Sequence, residues 1–117
     1  MSMLLTPITA NGQTIPVVLA SDYVDYRVLG VTTNESHDVP AHVSWALITP
    51  STDIYAKNNA AATIPSGDVT DGSGSIYIPA GASRLIRVKP GGTLQMISPA
   101  ASIVQIEFFT GASAGTL

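Results

Sequence analysis

Hydrophobic positions in this chain recur with a period of two, broken about every eight to twelve residues by Gly, Pro, Asn, Asp or Ser. That is how short strands joined by turns read. Successive side chains of a strand point to opposite faces, so each run divides into two sets. From Tyr23 to Val31 the pattern puts Val24, Tyr26 and Val28 on one face, expected to be core, with Asp25 and Arg27 on the wet side. "HVSWALI" groups Val43, Trp45 and Leu47; "SRLIRVK" sets Ile86 and Val88 against Arg87 and Lys89; Leu94 and Met96 oppose Gln95. The clearest alternation is "ASIVQIEFF", with Val104, Ile106 and Phe108 inward and Gln105 and Glu107 outward.

"QTIPVVLA", "GSIYIP" and a short "DIYAK" complete the set. Pro16 consigns the first of these to an edge or a bulge, because proline has no N–H for a ladder. Helix is confined to a turn or two in "YAKNNAAATIP", where Asn58, Asn59 and Thr63 disfavour it. The pattern predicts an all-β fold: a single-domain antiparallel β-sandwich, jelly-roll-like, with about seven or eight short strands. Residues 1–117 form one domain in this reading, with 1–11 a possible N-terminal arm and 111–117 a flexible tail.

Composition changes the picture in one respect. Only 11% of the 117 residues are charged, against about a quarter in ordinary soluble domains. Such a surface is sticky, and part of it is expected to be covered in the working state, as in a homo-oligomer or an assembly. The net charge of -3 and five basic residues leave no stripe to neutralise a row of phosphates, so no nucleic-acid partner is expected. No apolar run is long enough for a membrane span, and "MSMLLTPITANG" lacks the basic and apolar regions of a signal peptide, so no membrane partner is expected and synthesis is expected in the cytoplasm. With no cysteine, the fold has neither disulfides nor thiolate ligands.

Two stretches collect groups capable of chemistry. "NESHDVPAH" holds Glu35, His37, Asp38 and His42, raw material for a metal site or a general base. Its histidines are too far apart for the paired ligands of a strand-borne metal site, so it reads as a polar loop leading to the Trp45 strand. "SGDVTDGSGSIYIPAG" offers Asp68 and Asp71 but lacks the oxygen density and closing Glu of a calcium loop. It reads as a surface loop ending in a turn at Pro79-Ala80-Gly81. "PGG" at 90–92 reads as a hairpin turn rather than a phosphate loop. No nucleophile elbow or catalytic triad is legible. The expectation is a non-enzyme with no catalytic residues, no metal ligands and no cofactor.

"NGQTIPVVLASD", residues 11–22, resembles a segment of structural proteins of tailed bacteriophages. "PSGDVTDGSGS" followed by "IPAGASRLIRVKPGGTLQMISPAASIVQIEFF" is similar in style to small phage virion proteins; the two stretches cover about half of the chain. In the phage segment the Ala-Ser-Asp is commonly followed by Gln, whereas here Tyr23 follows Asp22 directly. The resemblance implies a virion component, a head decoration protein or a tail or fibre accessory. It further implies an all-β subunit, often trimeric, whose partner is the phage major capsid protein or a tail protein. Separately, the arm's Met3, Leu4, Leu5 and Ile8 have no place in the strand pattern and are the expected oligomer or capsid contacts. The alternative is a carbohydrate-binding sandwich, which a row of exposed Tyr23, Tyr55 and Tyr77 on one face would favour.

Overall fold

A computed structural model describes residues 22–110 in full and, of the remainder, only the backbone of two short strands, β1 (Leu4–Leu5) and β2 (Val17–Val18). Those two pair antiparallel, Leu4 opposite Val18 and Leu5 opposite Val17. The contacts expected of Met3 and Ile8, of the side chains of Leu4 and Leu5, the edge role of Pro16 and the 111–117 tail lie outside the described residues.

Eight further strands follow: β3 (Val24–Leu29), β4 (Glu35–Asp38), β5 (Trp45–Pro50), β6 (Ile54–Asn58), β7 (Ile76–Ile78), β8 (Arg84–Arg87), β9 (Thr93–Ile97) and β10 (Ser102–Phe109). They form two four-stranded antiparallel sheets, in the orders β3-β10-β5-β8 and β4-β9-β6-β7. The pairings nest: β3 with β10, β4 with β9, β5 with β8, β6 with β7. A long antiparallel ribbon doubled back between β6 and β7 and rolled into two layers gives this order, which is that of a jelly roll. The described residues include no helix; the stretch with weak helical character opens instead with β6.

The core lies between the layers. One sheet contributes Leu29, Ala46, Ile48, Ile86, Val104, Ile106 and Phe108, and the other Ile54, Ala56, Ile78, Leu94 and Met96, all buried. Each large apolar side chain hidden there stabilises the fold by about 1.5–3 kcal/mol. The inward sets expected for β8, β9 and β10 are the observed ones.

The inward sets of two strands are corrected. In β5 the buried set is Ala46, Ile48 and Pro50, while Trp45 and Leu47 lie half-buried on the outer face; Val43 is buried but precedes the strand. In β3 the faces are reversed. Val24, Tyr26 and Val28 are exposed, while Asp25 and Arg27 point between the sheets. Alternation tells which residues share a face, and either face of an edge strand can turn inward when the opposing layer supplies charged partners.

The turns fit their glycines. Gly92 N–H donates to Lys89 O at 2.9 Å across Pro90 and Gly91, and Gly91 has φ +74°: a type II turn with proline at its second position and glycine at its third. It is not a hairpin, since β8 and β9 belong to different sheets. Pro79–Ala82 makes a like turn, with Ala80 at the second position, Gly81 third at φ +74° and Ala82 N–H bonded to Pro79 O, carrying the chain from β7 to β8.

Candidate interaction surface

At the rim where β3 of one sheet faces β4 of the other, the interior is charged rather than apolar. His37 Nε2 lies 2.7 Å from Asp25 Oδ2. The His37 ring stacks on Phe108, with centroids 5.9 Å apart and planes at 10°. Arg27 Nη2 donates to Ser36 O at 2.9 Å and lies 3.4 Å from Glu35 Oε2. Asn34, just ahead of β4, donates to Gln95 Oε1 and accepts from Ala62 N–H, tying the rim to the neighbouring loop. His37 Nδ1 is buried without a hydrogen-bond partner.

The residues flagged for chemistry are therefore dispersed. Glu35, His37 and Asp38 lie on a strand, not in a loop, and alternate in direction: Glu35 and His37 are partly buried toward β3, while Asp38 is exposed. His42 sits apart in a turn with φ +71°. Among the described residues no three His, Asp or Glu side chains gather to hold a metal ion. Asp71 accepts from Ser73 N–H at 3.0 Å and Ser73 Oγ at 2.6 Å, a local turn bond. Those two bonds hold its carboxyl below the usual value.

The inverted β3 leaves apolar groups outside. Val28 is 70% exposed, Tyr26 64% and, across the ladder on β10, Ile103 54%; Val24 and Val31 are exposed as well. Val28 is directly opposite Ile103, Tyr26 opposite Gln105 and Val24 opposite Glu107, so the stripe runs along the edge of the sheet. Tyr26 O–H donates to Gln105 Oε1 at 3.0 Å, which holds the ring against the sheet. At the far end of the same outer face Phe109 is buried, and Trp45 is half-buried with Arg87 5.9 Å from its ring centroid. Exposure thus concentrates at the β3 end. Sequence reasoning missed this stripe because its residues alternate as a core set would; the one available signal was that Asp25 and Arg27 have complementary partners in Glu35 and His37.

The outer face of the second sheet carries a smaller aromatic feature. Tyr55 and Tyr77 are opposite each other on β6 and β7, with ring centroids 5.4 Å apart and tilted by 39°. Partial burial, and then the Asp53 carboxylate beside it, raise the Tyr77 phenol above its ordinary value. Tyr23 is not part of this group; it precedes β3 and meets Phe108 edge-on at 5.5 Å.

No family model, curated protein or solved structure matches the chain.

Proposed function

We propose that the chain is a non-enzymatic structural protein of a bacteriophage virion, a capsid decoration or stabilising subunit that acts as a homo-oligomer. The observation that carries this reading is the exposed apolar stripe of Val24, Tyr26 and Val28 on the edge strand β3, with Ile103 beside them on β10, in a chain with 11% charged residues. An exposed, apolar edge strand is a surface made to be covered. The jelly roll supports the reading as a fold that viral capsid domains use, though lectins and cupins use it too. The resemblance of "NGQTIPVVLASD" to phage structural proteins points the same way. A subunit of this kind stabilises a shell through contacts that exist only in the assembled state, by mass action and without chemistry. The test is mass spectrometry of purified particles of the phage that encodes the chain. A fixed ratio to the major capsid protein is expected, and absence from the particles overturns the reading.

A second reading, carbohydrate binding by a tail or fibre accessory, is favoured by the Tyr55–Tyr77 pair on the opposite sheet. Aromatic rings with one wet face suit the apolar side of a sugar ring. A glycan array probed with the wild-type protein and with Tyr77→Ala tests it. Binding lost in the variant is the expected result, and no binding by the wild type removes the reading.

A further inference from the structure

Strand β3 is self-complementary about its own centre. It is the terminal strand of its sheet, and among the described residues only β10 pairs with it. Phe108 N–H donates to Tyr23 O at 3.0 Å, and the register sets Val24 opposite Glu107, hence Tyr23 opposite Phe108. Residues directly opposite in an antiparallel ladder alternate between bonded and non-bonded pairs. Tyr23, Asp25, Arg27 and Leu29 therefore turn their backbone groups to β10, and Val24, Tyr26 and Val28 turn theirs to the edge.

We infer that two copies of this chain pair β3 to β3 antiparallel, on a two-fold axis at Tyr26, as an isologous interface. This rests on the homo-oligomeric part of the function proposed above and gives it a surface. Three features of "VDYRV", residues 24–28, converge on that register. Tyr26 meets its own copy and Val24 meets Val28 of the second copy, so the N–H and C=O groups of all three edge-facing residues are bonded. On the inner face Asp25 stands opposite Arg27 of the second copy, and Arg27 opposite its Asp25, so opposite charges meet at both places. On the outer face the apolar stripes of the two copies abut and become one patch centred on the axis.

A slip by one residue from this register removes all three matches at once. It would set an apolar side chain of one copy opposite a charged one of the other and leave edge N–H groups aimed at no acceptor. The charges are also already held in position. Asp25 is bonded to His37 and Arg27 to Ser36 O and Glu35, so pairing extends each into a chain that runs His37, Asp25, the second copy's Arg27 and its Glu35. An isologous pair of this kind closes on itself, whereas three-fold symmetry, which the phage resemblance implies, would need a different surface.

Light scattering on the intact chain gives the first test: twice the 12.1 kDa chain mass is expected. Tyr26→Pro removes an N–H that the monomer's own ladder does not use, so the mass is expected to halve with the β-sheet circular dichroism unchanged. The chain has no cysteine, which allows a register test that does not depend on that variant folding. With Tyr26→Cys the two Cα atoms are about 5.5 Å apart across a bonded pair, inside disulfide range, and oxidation is expected to give a covalent dimer. With Val28→Cys each cysteine faces Val24 of the other copy, and the two thiols are about 13 Å apart at some 3.3 Å per residue; no cross-link is expected. A trimer, or cross-linking of Val28→Cys as readily as Tyr26→Cys, overturns the β3 pairing and leaves the assembly reading standing. A monomer at working concentration overturns both.

Discussion

The centre of the sandwich and its β3–β4 rim solve the same problem in opposite ways. At the centre, β10 and β9 turn Val104, Ile106, Phe108, Leu94 and Met96 toward each other and the layers meet through apolar contact alone. At the rim, β3 and β4 turn Asp25, Arg27, Glu35 and His37 inward and leave valines and a tyrosine outside. The centre is specified by burial, which needs no particular partner. The rim is specified by pairing, which needs a charge of opposite sign at the right height on the facing strand. Inward charges on an edge strand are one of the devices that keep edges from indiscriminate association. Here they also fix which face of β3 is presented, and so make the apolar stripe a consequence of the Arg27–Glu35 ion pair and the His37–Asp25 hydrogen bond.

Phe108 belongs to both regions: its ring packs among the core residues, stacks with His37 and makes a T-shaped contact with Tyr23. Phe108→Ala is expected to cost about 3–5 kcal/mol, read as a shift in the urea unfolding midpoint with an unchanged slope. Val28→Ala, on the outer face of the rim, is expected to change monomer stability by no more than about 0.5 kcal/mol. Near-equal losses would mean that the rim stripe is packed in the monomer.

Within the rim, pairing rather than burial sets the stability, which a double-mutant cycle tests. Asp25→Leu leaves His37 Nε2 without its carboxylate in a site where Nδ1 already lacks a partner, and His37→Leu alone leaves Asp25 without its ring partner. A loss of about 1–3 kcal/mol is expected, the cost of an unsatisfied, largely buried polar group. Replacing both members, Asp25→Leu with His37→Leu, is expected to recover most of that loss, because a well-packed apolar pair commonly substitutes for a buried, hydrogen-bonded polar one without penalty. Additive losses in the double variant would show that the two side chains act independently.

The difference between the regions also explains what the sequence disclosed. Val104, Ile106 and Phe108 were legible because a strand flanked on both sides within its sheet has one face that must be buried. Leu94 and Met96, on the internal strand β9, were legible for the same reason, whereas Ile86 and Val88, on and just past the edge strand β8, were legible because their alternates Arg87 and Lys89 are charged. In β3 the identical pattern was ambiguous, since "VDYRV" can bury either set, and the choice rests with Glu35 and His37, which lie on the next strand in the opposite sheet and outside any local pattern. Strand order was illegible because nesting is a property of non-local pairs, β3 with β10 above all. The turn at Lys89–Gly92 was legible as a turn from its Pro-Gly pair, but not as a crossing between layers. Gly91→Ala, which forces a Cβ onto a backbone at φ +74°, is expected to cost about 1–2 kcal/mol, more than the same exchange at Gly67, which has φ outside that region and open space around it.

The smallest expected effect lies on the outer face of the second sheet, where a polar partner again decides what an aromatic ring does. Partial burial and the Asp53 carboxylate favour the neutral phenol of Tyr77 and raise its titration above the ordinary value of 10.0. The sign follows from linkage. With the folded value above the unfolded one, the stabilising contribution is complete below pH 10 and is lost as pH rises through the folded value. Phenolate absorbance should therefore develop later for Tyr77 than for a free tyrosine, and the difference between wild type and Tyr77→Phe isolates that titration. Asp53→Asn removes the second cause while keeping a side-chain oxygen for Ala80 N–H, which Asp53 Oδ1 accepts at 2.8 Å. The Tyr77 titration is then expected to move back part of the way toward 10, with burial accounting for the remainder. No movement would mean that burial alone holds the phenol neutral and that Asp53 serves only the Pro79–Ala82 turn.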